Sequence, residues 1–141
     1  MGNYFLLFKT VYGNKMVGAD IKKVSDTEVF AERVTRESKI TCKIDSKPRR
    51  KTIIDTGLAF LNHMIETIAW RMNLNIDFKF ETTNFKLTHV ITEDSGIVLG
   101  SALRAMFEKK MEKGVSGASR SIIDEGCATA VVSIEGRPRL I

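Results

Sequence analysis

Two helical patterns separated by a strand pattern restrict the fold of this chain more than any other feature. Apolar side chains recur every three or four positions between residues 58 and 72, and again from about residue 89 to residue 111. Residues 76–80 alternate as in a strand, and Asp55 and Thr56 are placed to cap the first helix. The stripes consist of Leu58, Leu61, Met64, Ile65, Ile68, Ala69 and Met72, and of Ile91, Val98, Leu99, Ala102, Ala105 and Met106. Each helix is therefore predicted to bury one face only.

Strand patterns surround the two helices. Residues 4–24 contain two β-leaning runs separated by Tyr12-Gly13-Asn14-Lys15, which predicts a hairpin. Residues 33–44 alternate and are predicted to form one strand. Residues 114–121 are predicted to form a loop, and residues 126–134 a further strand. This order predicts an α+β fold in which the helices pack on one face of a mainly antiparallel sheet, with an extra N-terminal hairpin in front.

Length and charge indicate an ordinary soluble domain. The 141 residues, of which 43% are hydrophobic, suffice for one compact domain. The net charge of +5 suits an anionic ligand. The basic run Lys47–Lys51 is interpreted as a solvated loop, so nucleic acid is not expected as a partner. The longest apolar run near the start, about five residues, is far shorter than the ~20 of a membrane span, and a cytoplasmic location is predicted.

The two cysteines show neither redox nor zinc spacing. Cys42 and Cys127 both lie on strand-like alternations and are far apart in the sequence. A CxxC pair would indicate a metal or redox site, and none is present. Both are therefore interpreted as small buried hydrophobic residues, with a disulfide between them as the alternative.

Both histidines lie away from the apolar stripes. At ~100° per residue, His63 falls nearly opposite the stripe of its helix, and His89 and Glu93 share the outer face of the second helix. Gly96 and Gly100 lie on that face too and leave a flat track where a ligand or another backbone can approach. A histidine and a glutamate at i and i+4 can bind one manganese, iron or zinc ion, although a solvated helix pair has the same spacing. A closed metal site would need ligands from a second chain, so a homo-oligomer is expected.

From Arg33 onwards the chain contains the stretches RVTRES at 33–38, DTGLAFLNHM at 55–64, THVITEDSG at 88–96, IDEG at 123–126 and EGRP at 135–138. With these stretches the sequence resembles imidazoleglycerol-phosphate dehydratase, the manganese lyase of histidine biosynthesis. The resemblance implies an N-terminal hairpin extension over residues 1–32, followed over residues 33–141 by a dehydratase-type half-domain and the first strand of a second half. Subunits of this family assemble into a hollow shell with dimanganese sites at interfaces.

The resemblance also implies a role for individual residues. His63, His89 and Glu93 match metal ligands of the family, with Mn²⁺ as the cofactor. Glu37 matches a proposed catalytic acid/base, and Arg137 matches an arginine that contacts the substrate phosphate, a task for which a bidentate guanidinium is well suited. The implied function is that of a metal-dependent carbon–oxygen lyase acting on a small phosphorylated substrate, imidazole glycerol phosphate.

Several positions depart from the family pattern. Val90 stands where the second histidine of a His-His pair belongs, which removes one metal ligand. Asn62 replaces an aspartate, which weakens any orientation of a ligand by that carboxylate. The segment from Gly114 to Asp124 is about two residues short and places Arg120 near, but not at, the position of a family arginine. The alternative function is therefore a non-catalytic, dehydratase-like oligomeric or ligand-binding protein with a degraded metal site.

Overall fold

The computed structural model describes residues 10–12, 15–82, 87–108 and 115–134. The chain divides into two compact units, residues 1–107 and residues 108–141, and each is described by itself. The elements in chain order are β1 (Thr10–Tyr12), β2 (Lys15–Val17), β3 (Asp20–Val24), β4 (Glu28–Val34), β5 (Ser38–Asp45), β6 (Ile54–Asp55), α1 (Ala59–Arg71), β7 (Asn75–Thr82), α2 (Thr88–Glu108), β8 (Val115–Ile123) and β9 (Gly126–Ile134).

The first unit is built on a five-stranded sheet with the order β3-β4-β5-β7-β6. The β3–β4, β4–β5 and β5–β7 pairs are antiparallel, and only the two-residue β6 runs parallel to its neighbour. The predicted hairpin is confirmed where it is described, because β1 pairs with β2 around Tyr12 and Lys15, while residues 4–9 lie outside the described residues. Residues 1–32 also contribute β3 and most of β4 to the main sheet.

Alternation along the strands places rows of apolar side chains on a single face of the sheet. Ile44 pairs with Val29 on one side and Ile76 on the other, and Cys42 pairs with Phe78 in the next row. These side chains are buried, and they form one hydrophobic cluster with the buried residues of both helices. Each large apolar side chain buried in this way contributes about 1.5–3 kcal/mol. The predicted packing of helices on one face of a mainly antiparallel sheet is confirmed.

The predicted single strand over residues 33–44 is wrong, because two strands meet there in a tight turn. β4 ends at Val34 and β5 begins at Ser38. The turn is closed by the Thr35 amide, which donates to the Ser38 carbonyl at 2.8 Å, and by Thr35 Oγ1, which accepts the Glu37 and Ser38 amides at 3.1 and 3.0 Å. A hydroxyl stabilises this turn in place of a glycine or proline, so the usual sequence signal is missing.

The predicted loop over residues 114–121 is also wrong. Residues 115–121 belong to β8, which pairs with β9 along its whole length and, with it, forms the two-stranded sheet of the second unit. The chain reverses at Asp124, whose φ of 50° lies in the left-handed region that aspartate tolerates better than most residues. Cys42 is buried as predicted, but Cys127 is exposed, so its interpretation as a buried residue is wrong. Both lie in the described part of the chain as free thiols.

Asp55 and Thr56 do not cap α1. Leu58 occupies the N-cap position, and no described side chain caps it. Instead Asp55 Oδ1 accepts the amide of Gly57, whose φ of 76° favours glycine, and so shapes the turn before the helix. Asn62 Oδ1 accepts both the amide and the hydroxyl of Thr56, at 2.8 and 2.6 Å. The oxygen of Asn62 therefore fixes the segment that leads into α1, a task that the family's aspartate could also perform.

Candidate active site

A cleft of about 940 Å³ lies between the β4–β5 turn and the first turns of α2. It brings together three of the residues predicted from the sequence, namely Glu37, His89 and Glu93. Glu37 comes from the turn, and the other two come from the helix. The described residues that line it are Gly18, Asp20, Glu32, Arg33, Val34, Thr35, Arg36, Glu37, His89, Val90, Glu93 and Asp94.

His89 and Glu93 form a pair on the outer side of α2. His89 Nε2 lies 3.0 Å from Glu93 Oε2, and the two side chains are 84% and 59% exposed. The four-residue spacing places both on one face of the helix, as predicted. An imidazole nitrogen and a carboxylate oxygen this close together can both turn towards one cation, and they are donor types that manganese, iron and zinc accept. The pair fits two positions of a metal site.

A buried carboxylate lies directly behind this pair. Asp94 accepts a hydrogen bond from Arg33 Nε at 3.2 Å and another from Ser38 Oγ at 3.0 Å. Arg33 also donates through Nη1 to the Gly18 carbonyl at 2.8 Å. Asp94 was not predicted from the sequence, although it lies between Ile91 and Val98 at the helical spacing of the stripe. A charged residue at a stripe position is the signal that could have identified it.

The cleft carries the opposite charge to the chain as a whole. Five carboxylates and two arginines are among its described lining residues, whereas the whole chain has a net charge of +5. Acidic side chains that line one cleft raise the local concentration of cations and lower that of anions. The cleft therefore favours a cation near His89 and Glu93, and a phosphate group would need a basic residue from elsewhere.

The structure does not bring all the predicted site residues together. His63 is exposed on α1 and is not among the residues that line the cleft. Arg137 lies outside the described residues. Within the described part of the chain, no three histidine, cysteine, aspartate or glutamate side chains are placed to hold one metal ion. The ligand role of His63 and the phosphate-binding role of Arg137 stay predictions.

Val90 has two environments. It lines the cleft, and it also packs against the hydrophobic cluster as a partly buried residue. Further along α2, a Cβ added at Gly96 or Gly100 would meet no described atom within 4 Å, so this part of the helix surface is open. What docks there stays a prediction. None of the described helices is long and apolar enough to cross a membrane.

The basic run, the other candidate binding feature, makes contacts within the fold. Lys47 pairs with Glu28 at 3.1 Å, and Arg49 donates to the carbonyls of Ala69 and Leu74. Arg50 forms hydrogen bonds with Asp77 and Asp45, which raise the pKa of its guanidinium further. The prediction that Lys47–Lys51 form a loop is confirmed. The charged side chains of this loop stabilise its conformation through these contacts. The absence of a nucleic-acid partner stays a prediction.

Comparison with known proteins identifies the family. Residues 56–141 match the sequence profile described as imidazoleglycerol-phosphate dehydratase. The chain belongs to the imidazoleglycerol-phosphate dehydratase family.

Two relatives of that name show the extent of the likeness. The protein from Neisseria gonorrhoeae is 36% identical over 115 residues, which are 80% of this chain and 37% of that protein. The protein from Staphylococcus carnosus is 32% identical over 109 residues, 77% of this chain and 56% of that one. The chain thus spans about 37–56% of the length of these curated relatives.

A solved structure supports the same assignment of fold. The crystal structure of imidazoleglycerol-phosphate dehydratase from Staphylococcus aureus subsp. aureus N315 aligns with a TM-score of 0.63 at 30% identity. The alignment covers 79% of this chain and 60% of that one. The dehydratase-type fold that the sequence motifs predict is confirmed.

Proposed function

We propose that this chain contributes to a metal-dependent carbon–oxygen lyase that dehydrates imidazole glycerol phosphate, the substrate after which its family is named. The observation that supports this proposal is the acidic cleft in which Glu37 lies with the His89–Glu93 pair. A carboxylate for proton transfer and an imidazole–carboxylate pair for a cation are the two groups that such a dehydration needs.

His89 and Glu93 would hold Mn²⁺ through Nε2 and a carboxylate oxygen. When bound, the ion supplies Lewis-acid stabilisation of the charge that develops during dehydration. Two ligands are fewer than a manganese site requires. The remaining ligands would come from another copy or another segment in a homo-oligomer, and a His63 side chain would be one of them. This arrangement agrees with the high exposure of both side chains, because ligands at an interface are exposed in one chain taken alone.

Glu37 would act as the catalytic acid/base. Its carboxylate would take a proton from one side-chain carbon of the substrate and deliver that proton to the hydroxyl of the neighbouring carbon, which leaves as water and returns Glu37 to its ionised form. The hydrogen bond from the Glu37 amide to Thr35 Oγ1, at 3.1 Å, fixes the backbone from which this side chain extends into the cleft. Arg137 would bind the phosphate, since the acidic lining of the cleft is unfavourable for an anion.

A second candidate is a dehydratase-like protein that retains a metal ion or a ligand without turnover. It is favoured by Val90, which lines the cleft where the family pattern has a second histidine. A valine supplies no donor atom, so the cation in this cleft would have one ligand fewer than in the relatives. This candidate predicts retention of metal in the absence of any dehydration.

The two candidates are separated by a dehydratase assay of the manganese-loaded protein with imidazole glycerol phosphate, following loss of the substrate. The lyase proposal predicts turnover that falls about 100-fold or more in Glu37→Gln, because proton transfer by a positioned side chain contributes roughly 10²–10⁴-fold. The control is Glu81→Gln on β7, where the glutamate pairs with Lys79 and is not among the cleft residues. Turnover that is equal in the two variants contradicts the assignment of Glu37, and metal retention without turnover favours the second candidate.

A further inference from the structure

Asp94 is a buried carboxylate that the proposed chemistry does not use. Its residue is 8% exposed, and both of its oxygens accept a hydrogen bond, one from Arg33 and one from Ser38. A buried charge is tolerated only where it is paired and hydrogen-bonded, and removing its partners is strongly destabilising. The position of Asp94 is therefore tightly determined by β4 and β5, although the residue itself belongs to α2.

The carboxylate connects the two walls of the cleft. On the helix side, Asp94 follows Glu93 directly in the sequence and lies within two turns of His89. On the sheet side, Ser38 is the first residue of β5 and the residue after Glu37. A hydrogen bond of 3.0 Å from Ser38 Oγ to Asp94 Oδ2 thus joins the neighbours of two candidate site residues.

The direction of the hydrogen bonds extends this connection to Glu37. An ionised carboxylate only accepts, so Ser38 gives its one hydroxyl proton to Asp94. The Thr35 hydroxyl, 3.0 Å from Ser38 Oγ, must then be the donor in that pair. Its remaining electron pairs accept the amides of Glu37 and Ser38. One chain of hydrogen bonds therefore runs from Asp94 through Ser38 and Thr35 to the backbone of Glu37.

We propose that Asp94 is a positioning residue that holds the β4–β5 turn against α2 and thereby sets the placement of Glu37 relative to the His89–Glu93 pair. The effect of this positioning on catalysis by Glu37 rests on the proposed function. Misplacement of a catalytic group by about 1 Å can lower the rate of a reaction by about 100-fold. His89 and Glu93 share one helix and keep their spacing without this contact, whereas Glu37 depends on it.

Asp94→Asn tests the proposal with almost no change of volume. An asparagine can keep the hydrogen bond from Arg33 only by turning its NH₂ group towards Ser38, which reverses the direction of the Ser38 and Thr35 hydroxyls. The exchange rate of the Glu37 amide, followed by NMR on the full chain without metal, should rise about tenfold or more. This readout does not depend on turnover. Ser38→Ala, which cuts the chain of hydrogen bonds and leaves the Arg33–Asp94 pair in place, should have the same effect.

Asp77→Asn is the matched control. Asp77 also pairs with an arginine, Arg50, at 2.6 Å, but at the opposite end of the same sheet. Its substitution should leave the exchange of the Glu37 amide unchanged. Where the wild-type protein turns over substrate, Asp94→Asn should lower kcat about tenfold or more, with KM and manganese affinity within about twofold.

Two results would overturn the proposal. One is an unchanged Glu37 amide in both Asp94→Asn and Ser38→Ala, and the other is an equal response in Asp77→Asn. Failure of the proposed function has a different signature, since the wild-type protein would then lack turnover while the amide measurements still gave the pattern described.

Discussion

The two ends of strand β5 carry similar groups and offer different chemistry. At its first residue, Ser38, the sheet meets the Arg33–Asp94 pair, and at its last residue, Asp45, it meets Arg50. Each end therefore combines an arginine with a buried aspartate. The first end, which we call the cleft end, opens into the cleft. The second, which we call the loop end, fixes the loop that contains Lys47–Lys51.

At the loop end, the fold satisfies its own polar groups. The side-chain amide of Asn75, which is fully buried, donates to Asp45 and to the carbonyls of Lys47 and Pro48, and its oxygen accepts the Arg50 amide. Burial tends to raise the pKa of Asp45, but the hydrogen bonds from Asn75 and Arg50 outweigh this effect and lower it. The polar side-chain atoms of Asn75 and Asp45 are therefore used within the chain.

At the cleft end, the buried groups support exposed ones. Asp94 and Ser38 are buried and bonded to each other, while the adjacent His89, Glu93 and Glu37 are exposed at the cleft. A hydrogen-bonded ion pair alone therefore does not mark a site. A site needs exposed donor atoms that a satisfied buried network supports. The cleft end offers the exposed donors of His89 and Glu93, whereas the exposed Lys47 of the loop end is paired with Glu28.

The largest effect is expected at the loop end. Asn75→Ala leaves Asp45 and two loop carbonyls without this buried donor, and should lower the free energy of unfolding by about 2–4 kcal/mol. Urea denaturation measures this change. The manganese affinity of the folded variant should stay at the wild-type value, and a loss of metal binding would contradict the independence of the two ends.

The next effect is a gain of function at the cleft end. Val90→His places a second imidazole in the cleft, and should raise manganese affinity about tenfold, or about 1.4 kcal/mol, as measured by calorimetry. Ile53→His is the control, because it adds an exposed imidazole near the loop end. An unchanged affinity in Val90→His would count against any metal-binding geometry in the cleft.

Part of the loss of stability at acidic pH should be traceable to Glu28, which pairs with Asp45 at the loop end. Hydrogen bonds from Lys23, Lys47 and Lys43, in that order of weight, lower the pKa of Glu28 from 4.5 to about 2 against the opposing effect of burial. A lowered pKa means that the charged form stabilises the fold at neutral pH, and that this contribution is lost as the pH falls from 4.5 towards 2. The difference in unfolding free energy between wild type and Glu28→Gln should shrink over this window. A difference in unfolding free energy that is constant with pH would contradict the lowered pKa of Glu28.

The smallest effect is expected on α2 away from both networks. Gly100→Ala should stabilise the chain by about 0.5–1 kcal/mol, because alanine favours the helix and its Cβ meets no described atom within 4 Å. Thermal unfolding measures the gain, and manganese affinity should not change. A loss of stability would show that another group already packs against this face in solution.

Periodicity predicted the elements whose side chains alternate between core and solvent. The apolar stripe of α2, most of the stripe of α1, the alternation of β7 and the extent of β9 were readable in the sequence, because burial on one side imposes the period of the element. The prediction was wrong for Ile68 and Met72 of the α1 stripe, which are exposed. The turn at Thr35 was missed because a side-chain hydroxyl closes it. β8 was missed because its glycine and serines are typical of loops.

The site was only partly predictable for a related reason. The spacing of His89 and Glu93 within one helix fixed their proximity. The approach of Glu37 and Asp94 depends on how α2 lies across the sheet, which local periodicity does not specify. The same holds for His63, which is exposed on α1 and is not among the residues that line the cleft.

The proposed function depends on a cation held in the cleft by His89 and Glu93. Elemental analysis of the manganese that each chain retains after loading and desalting, in wild type and in His89→Ala, measures whether this cation is bound. About one ion or more per chain in the wild type, and a loss of most of it in His89→Ala, is the predicted result. No retained manganese in the wild type, or equal amounts in the two proteins, would contradict a cation site built on His89 and Glu93.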